Sequence, residues 1–259
     1  MSSQNVRLVT FNMNGRTRKL DKFKKMLRNE LIICLQEVDD VYRTKKEFSD
    51  FPYKATTQNK TTSGKSHTNN ILICSKLPFE LVDDTLIHTD PCESQWRRRA
   101  QHVRVKLDAT RTFDLFHYHN TYNFGKQNFK YEKEGIEKFV DYAKRCLSKP
   151  LGQAQNVVLL GDFNLKKINQ LTSRIKLPHV AYNWRDYICS SIPFASPSSC
   201  GVYDTTSNDA SDHDAVWAEL DLQADVKEVQ GRRVQLFNIH HKEYLYASSY
   251  KPFDDDRRR

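Results

Sequence analysis

The sequence of 259 residues lacks four features that would each indicate a particular class of protein. It has no apolar run that approaches the length of a membrane span, so we expect no transmembrane helix. None of its six cysteines forms a CxxC pair, so a zinc site is not expected. Residues 1–220 contain no internal repeat, and no signal peptide precedes the first predicted strand. The length suits one large α/β domain, with or without an appendage.

Acidic residues are fewer than basic ones. Lys and Arg number 41 against 32 Asp and Glu, a formal net charge of +9. This excess suits an anionic partner such as nucleic acid or a phosphorylated surface, although a merely basic soluble protein has the same composition. We expect mostly free thiols, which favours a reducing compartment and intracellular or nuclear action. Cys189 and Cys200 bracket a Ser/Pro-rich loop and could pair, but spacing alone does not decide this.

The clearest buried strand is the apolar run at 157–160. It ends at Gly161, and Asp162 and Asn164 follow. In open α/β sheets, ligands bind just outside the carboxyl ends of strands. Two residues two apart in an extended segment point the same way, so this carboxylate and this amide would share one side. The alternative is an Asx-turn that merely ends the strand.

Hydrophobic periodicity predicts a chain of mixed strands with occasional helices. Strands are predicted at 6–11, 31–35, 71–74, 102–107, 113–120, 157–164, 184–189 and 215–220. Helical spacing is seen at 20–31, 136–147 and 168–175, and 54–69 is a polar surface loop. Strand follows strand too often for a purely parallel sheet. Two mixed sheets packed face to face, with helices outside, fit better.

The predicted strand ends carry polar side chains of matching chemistry. These residues are Asn12, Glu37, His119, Asp162, Asn164, Asp212 and His213. Carboxylates with amides are hard oxygen ligands, which suit Mg²⁺ or Mn²⁺. Imidazoles beside such a site suit a reaction that builds negative charge on a phosphate. A divalent ion, a water and two histidines together indicate phosphoester hydrolysis.

Five short segments at strand ends occur in an order that resembles the endonuclease/exonuclease/phosphatase superfamily, whose members include DNase I. They lie at 10–15, 35–38, 161–165, 186–188 and 211–213, within a resemblance that spans 6–220. The resemblance implies a DNase I-like four-layered α/β sandwich of two mixed sheets flanked by helices. It also implies Mg²⁺-dependent cleavage of phosphodiesters or phosphomonoesters.

The resemblance also implies roles for individual residues. Those around the metal, directly or through water, would be Asn12, Glu37 and Asp212. Asp162 would activate the attacking water and Asn164 would help to hold the phosphate. His213 would stabilise the phosphate, oriented by Asp186. The family's other histidine corresponds to His117 or His119; His119 is nearer the strand end, but the Asn120-Thr121 that follows departs from the family pattern.

Part of the chain is similar to the nuclease subunit of bacterial cytolethal distending toxins. The similar parts are the strand with His119, the segment 70–75 and the arginines at 97–99. We predict substrate contacts from Asn70, and from Trp96, Arg97 and Arg99 just before the hairpin that carries His119. Arginine suits bidentate phosphate contacts, and a tryptophan ring can stack on a base or sugar. Alternation along an extended chain would send Arg97 and Arg99 to one face and Arg98 to the other. The alternative for the arginines is a solvated run of surface charge. The alternative for the location is a secreted, toxin-like protein.

We therefore predict a DNase I-like catalytic domain at 1–220 and a β-rich C-terminal extension at 221–259. Two strands in the extension, 234–239 and 244–247, resemble the opening hairpin of a β-trefoil-like module. The predicted function is a Mg²⁺-dependent DNA endonuclease. The alternatives are a phosphatase or phosphodiesterase acting on phosphoinositides or sphingolipids, and a catalytically dead binding module.

Overall fold

Two β-sheets form the body of the protein in the computed structural model. It describes residues 5–58, 70–89, 97–120, 129–147, 156–165, 177–222, 234–238 and 243–247. The first sheet consists of β1 (Asn5–Asn12), β2 (Ile32–Val38), β3 (Tyr53–Thr57), β4 (Asn70–Ser75), β11 (Cys200–Tyr203) and β12 (Ala215–Asp221). The second consists of β5 (Phe79–Thr89), β6 (Arg97–Lys106), β7 (Thr112–Tyr118), β8 (Val157–Asp162), β9 (His179–Asn183), β10 (Asp186–Ser190), β13 (Val234–Asn238) and β14 (Glu243–Ala247). The described helices are α1 (Leu20–Met26), α2 (Val41–Glu47) and α3 (Phe129–Cys146).

Both sheets are mixed, as predicted. The first has the order β11-β12-β1-β2-β4-β3, and the second has the order β14-β13-β9-β10-β8-β7-β6-β5. The pair β1–β2 is parallel, and so are β7–β8 and β9–β13. Because parallel neighbours end at the same edge, the carboxyl ends of β1 and β2 lie together, and so do those of β7 and β8.

Apolar side chains fill three spaces, which gives the four predicted layers. Between the sheets, Leu8 of β1 and Leu160 of β8 belong to one buried cluster. A second cluster joins Phe139 of α3 to the outer face of the eight-stranded sheet. A third joins Phe23 of α1 to the outer face of the six-stranded sheet, where its ring stacks on Phe11 at 4.2 Å between centroids. Burial on both faces explains why β2 and β8 begin with continuous apolar runs.

Several elements differ from the prediction. The expected loop at 54–69 begins as β3, and β5, β9, β11 and α2 were not predicted. Most of these are short, and β5 has half-exposed, partly polar residues at the sheet edge, so none has a strong hydrophobic period. The first helix ends at Met26 because Leu27 has extended backbone angles, which leaves Leu31 outside it. The helix predicted at 168–175 lies outside the described residues.

Gly161 allows the ends of β7 and β8 to approach each other. Its φ is +138°, and a Cβ added there would lie 1.9 Å from the Tyr118 carbonyl oxygen. No larger residue fits without moving backbone. The contact continues beyond the strands, where the Asn120 amide donates to the Asp162 carbonyl at 2.8 Å. This close approach brings the segment with His119 next to Asp162.

The predicted hairpin of the C-terminal tail is present in the backbone. β13 pairs antiparallel with β14 and parallel with β9. Among the described residues the cysteines are free, including Cys189 and Cys200, so the pairing left open above does not occur. No helix in the described ranges is long and apolar enough to cross a membrane.

Candidate active site

The ends of the central strands meet at one edge, where side chains from both sheets touch. Asn12, at the end of β1, donates from Nδ2 to Asp162 Oδ2 at 2.9 Å and to Glu37 Oε1 at 3.2 Å. Its Oδ1 accepts from the Asn14 amide at 2.9 Å. In this arrangement the Asn12 amide bridges two carboxylates from opposite sheets.

Glu37 occupies a strained position at the end of β2. The β2–β4 register shifts between Leu35 and Val38, and Glu37 has a φ of +52°. A left-handed conformation costs about 1–2 kcal/mol for a residue other than glycine. Neighbouring bonds hold it: the Gly15 amide donates to the Glu37 carbonyl at 3.0 Å, and Asn70 Nδ2 donates to the Val38 carbonyl at 2.9 Å. Burial raises the pKa of Glu37, so both backbone and carboxylate are held against their preferences, as is common at functional sites.

The Asp162 carboxylate lies at the centre of the site and is buried. Oδ1 accepts from the Asn164 amide at 2.8 Å. Oδ2 lies 3.6 Å from His119 Nε2 and 4.0 Å from His213 Nε2. Burial and then the charge of Asp186 raise the pKa of Asp162 to about 6. Asp162 is therefore ionised at neutral pH but is a better proton acceptor than an ordinary aspartate.

His213 and Asp186 form a tight pair, as the resemblance implies. His213 Nδ1 lies 2.7 Å from Asp186 Oδ2. Burial lowers the pKa of His213, but the Asp186 carboxylate outweighs it and raises the pKa to about 10. The imidazole is therefore charged at neutral pH, with Nδ1 donating to Asp186 and Nε2 facing Asp162. Asp186 itself pairs with Asp162 in the β8–β10 register, which fixes the spacing of the two carboxylates.

The segment before β12 is tied to the end of β1. The Ser211 hydroxyl donates to the Asn12 carbonyl at 2.7 Å, and Ser211 Oγ accepts from the His213 amide at 3.2 Å. Asp212, between them, is exposed at the rim. Glu37 is half-buried, so these two predicted metal ligands lie at different depths of the site.

Of the two candidate histidines, His119 lies in the site. Its Nε2 is 3.6 Å from Glu37 Oε1 and from Asp162 Oδ2. His117 lies inside the protein, 2.6 Å from Gln36 Nε2 and 3.1 Å from Gln101 Oε1. Burial lowers the pKa of His117 to about 3, so it is a neutral core residue. The difference arises because His119 follows the end of β7, whereas His117 is within it.

The arginine run contributes a residue that the sequence did not single out. Arg98 is 1% exposed, and its Nη1 lies 3.4 Å from His119 Nδ1. Burial, followed by the charge of Arg98, lowers the pKa of His119 well below its usual value. Arg99, on the opposite face, donates from Nε to Asp84 Oδ1 at 2.5 Å. The predicted alternation is present, but its inward member is Arg98; the side chains of Arg97 and Trp96 lie outside the described set.

Asn164 and Asn120 stabilise the turns around the site. Asn164 has a φ of +52° and donates from Nδ2 to the Asn120 carbonyl at 3.0 Å. Asn120, fully buried, donates from Nδ2 to the carbonyls of Glu132 and Phe163, both at 2.9 Å. The residue that departed from the family pattern after His119 is therefore a structural link between β7, α3 and the turn after β8. The phosphate-holding role of Asn164 stays a prediction.

Trp184 is an exposed aromatic beside the site. It is 54% exposed, has a φ of +53° in the β9–β10 turn, and its ring centroid lies 6.0 Å from that of His213. The Arg185 guanidinium lies over the ring at 3.8 Å. In the sequence, Trp184 lies two residues before the 186–188 segment.

The donor set fits a hard divalent cation. Asp162, Asp186 and His213 each offer an atom within 4.8 Å of the others. His213 is nevertheless a poor ligand here, because its imidazole is charged and Nδ1 is bound to Asp186. Glu37 would be the better ligand: its carboxylate is joined to Asp162 through the Asn12 amide, and its side chain is 26% exposed to solvent. Two carboxylates of like charge joined by one amide favour Mg²⁺ or Mn²⁺.

The raised pKa of Asp162 predicts a pH-dependent stability in EDTA. The folded-state pKa of about 6 exceeds the ordinary 3.8. Ionised Asp162 therefore lowers the free energy of unfolding. This loss is absent below about pH 4, grows as the pH rises toward 6, and reaches about 3 kcal/mol above pH 6. Asp162→Asn should remove this dependence, with a constant offset of about 1 kcal/mol for a changed hydrogen bond. Urea unfolding at pH 4 and pH 8 measures it; Asp50→Asn, at an exposed site, is the control. Parallel pH curves for wild type and Asp162→Asn would contradict the assignment.

Comparisons with known proteins agree with this architecture. Residues 9–213 match the model of the Endonuclease/Exonuclease/phosphatase family. A search of curated protein sequences gives no significant match. The structure is similar to an endonuclease/exonuclease/phosphatase from Beutenbergia cavernae, with a TM-score of 0.66, 15% identity, and coverage of 95% of this chain and 79% of that one.

Two further similar structures come from distant organisms. Truncated TDP2 of Caenorhabditis elegans has a TM-score of 0.56 and 15% identity, over 84% of this chain and 97% of that one. A beta toxin variant from Staphylococcus aureus, solved with bound magnesium ions, has a TM-score of 0.58 and 13% identity, over 84% of this chain and 100% of that one. At these identities the likeness establishes the fold. Because the family match runs from residue 9 to residue 213, well over half of the chain, the protein belongs to the endonuclease/exonuclease/phosphatase family of metal-dependent phosphoesterases and nucleases.

Proposed function

We propose that the protein is a Mg²⁺-dependent DNA endonuclease that hydrolyses the phosphodiester backbone by water attack. The observation that carries the proposal is the convergence on Asp162: the Nε2 atoms of His119 and His213 lie 3.6 Å and 4.0 Å from Oδ2 of this buried carboxylate. A proton acceptor between two imidazoles is suited to displacement at a phosphate.

Asp162 would take the proton of the attacking water. A pKa of about 6 leaves Asp162 ionised at neutral pH and makes it a stronger base than an ordinary aspartate. The bonds from Asn12 and from the Asn164 amide hold the carboxylate in one orientation, so little reorganisation is needed.

The two histidines would stabilise negative charge on the phosphate in different ways. His213 is held charged by Asp186 and would donate from Nε2. His119 is held neutral by burial and by Arg98. With Nδ1 accepting from Arg98, an assignment that follows from the 3.4 Å contact, Nε2 carries the proton and faces the phosphate.

Glu37 would hold the divalent ion, with Asn12 and the more exposed Asp212 around it, directly or through water. When bound, the ion supplies positive charge that neutralises the phosphate in the transition state. The Asn12 amide, 3.2 Å from Glu37 Oε1, holds the carboxylate beside Asp162. The predicted substrate contacts remain Asn70, Trp96, Arg97 and Arg99. Two of these side chains also bind within the protein: Arg99 donates to Asp84, and Asn70 donates to the Val38 carbonyl.

DNA is favoured over a lipid headgroup by the net charge of +9 and by the exposed Trp184 ring beside His213. A polyanion repeats its charge on both sides of the cleaved bond, so basic surface away from the reacting atoms contributes to its binding. Aromatic rings at such a rim are suited to stacking on a base.

Incubation of purified protein with supercoiled plasmid tests the proposal. We expect nicked circles with Mg²⁺ and none with EDTA or with Glu37→Gln, prepared in parallel to exclude a contaminating nuclease. Intact plasmid together with phosphate release from phosphoinositide vesicles, or hydrolysis of sphingolipid vesicles, would replace the nuclease by a lipid phosphoesterase. Absence of both activities would indicate a binding module.

A further inference from the structure

Three basic side chains converge on one exposed carboxylate at the rim of the site. Asp209 Oδ2 lies 2.6 Å from Lys19 Nζ and 3.5 Å from Lys22 Nζ, and Oδ1 lies 3.5 Å from Arg16 Nη1. The Asp209 side chain is 62% exposed. Three positive charges around one negative charge leave an excess of positive charge at this surface. The fold does not need this excess for its stability. We call Arg16, Lys19, Lys22 and Asp209 the rim cluster.

Both chain segments of the rim cluster lead, within a few residues, to residues of the site. Arg16 is four residues beyond Asn12, and Asp209 is three residues before Asp212. The two segments are joined at the site, where the Ser211 hydroxyl donates to the Asn12 carbonyl at 2.7 Å. Four residues span at most about 14 Å. A nucleic acid strand rises about 3.4 Å per nucleotide, so it crosses this distance within a few nucleotides.

We propose that Arg16, Lys19 and Lys22 bind a DNA phosphate within a few nucleotides of the one that is cleaved, and that the Asp209 carboxylate occupies this position in the free protein. The inference rests on the proposed function and adds to it a second phosphate contact with an internal competitor. Carboxylate and phosphate oxygens accept from the same ammonium and guanidinium donors.

Exchange of one anion for the other is energetically accessible. Exposed ion pairs are weak because water and salt screen them, so Asp209 does not hold the three cations permanently. DNA has an advantage that a single carboxylate lacks, because its phosphates release condensed counterions when they are neutralised. The expected consequence is that Asp209 weakens DNA binding.

Asp209→Asn separates charge from structure. Asp209 has a φ of +56°, and its amide donates to the Thr206 carbonyl at 2.9 Å in the turn that it closes. Asparagine tolerates this left-handed conformation as well as aspartate does. The substitution therefore removes one negative charge and leaves the turn.

Binding of a DNA duplex over a salt series, in EDTA and with Glu37→Gln in every variant, measures the effect. Asp209→Asn should tighten binding about three- to tenfold at low salt and steepen the slope of log K against log salt by up to about one unit. Lys19→Ala combined with Lys22→Ala should weaken binding and lower that slope by about one to two units.

Asp108→Asn is the matched control. Asp108 is exposed and paired with Arg111 Nε at 2.5 Å, in the turn between β6 and β7, at the end of β7 opposite His119. Asp108→Asn changes the net charge by the same amount as Asp209→Asn. Because Asp108 lies at the other end of β7, we expect little effect on the salt slope or on the affinity for DNA.

Equal effects of Asp209→Asn and Asp108→Asn, or an unchanged slope in the double lysine variant, would overturn the inference while plasmid nicking still supports the nuclease. Dependence on the rim cluster only for phosphoinositide vesicles would also overturn it, in favour of headgroup binding. Tighter DNA binding by Asp209→Asn without nicking by the wild-type protein would support the rim contact and reject the proposed endonuclease.

Discussion

Glu37→Gln should reduce Mg²⁺-dependent hydrolysis on the order of 10² to 10³-fold while the fold stays intact. The amide keeps the shape and can still accept from Asn12 Nδ2, which lies 3.2 Å from Oε1. It removes the charge that a divalent cation requires. The measurement is the rate of plasmid nicking over a Mg²⁺ titration, because loss of a ligand is most visible at limiting metal.

The same substitution should leave stability unchanged or raise it in EDTA. Burial raises the pKa of Glu37, so the ionised form is disfavoured in the fold at neutral pH and the penalty disappears at low pH. Removing a poorly compensated buried carboxylate relieves that penalty. Glu47→Gln on α2, where the side chain is 39% exposed and 3.7 Å from Lys24, is the control and should change neither activity nor stability. A wild-type rate for Glu37→Gln at limiting Mg²⁺ would show that Glu37 does not bind the metal.

Asp186→Asn and His213→Ala should each reduce activity on the order of 10³-fold, and the double variant should be barely worse. The reason is that Asp186 acts through His213: their 2.7 Å contact fixes the tautomer and raises the pKa of the imidazole to about 10. Without Asp186, burial alone would favour the neutral ring, which is a weaker donor to a phosphate oxygen. A double-mutant cycle on kcat/KM measures the coupling.

The chain contains a matched control for this pair. His102 Nε2 lies 2.8 Å from Asp114 Oδ1 on the β6–β7 hairpin, and the pair also contacts Arg104 rather than the site. Asp114→Asn and His102→Ala should affect stability and leave hydrolysis nearly unchanged. Losses that add independently for Asp186 and His213 would contradict the paired role and make Asp186 a strand-capping residue.

The sequence alone predicts the parts of the site that depend on local pattern. The apolar run of β8, the glycine after it and the Asp-Phe-Asn that follows are all within eight residues. Strand, turn and polar pair are therefore encoded by short-range sterics and alternation. The polar residues at the carboxyl ends of β1 and β2 and at the start of β10 are encoded by local sequence in the same way. The two mixed sheets with outer helices are also confirmed, because buried strands and amphipathic helices have few ways to pack.

Weakly patterned elements were not predicted. The edge strand β5 has exposed apolar residues and polar ones mixed along it, and β9 and β11 are short. Their pairing is stabilised by neighbours distant in sequence, such as β6 for β5, so no local period identifies them.

What the sequence by itself determined is the set of ionisable and amide residues at the strand ends, and the fold that gathers them. The tertiary structure decided which member of each ambiguous pair faces the site. His119 rather than His117 lies beside Asp162, because the first follows the strand and the second lies within it between the sheets. Arg98 rather than Arg99 reaches His119, because the register of β6 against β5 directs Arg99 to Asp84. Alternation along a strand shows which residues share a face. It does not show which of the two faces turns toward the site, because that depends on the packing of the whole sheet.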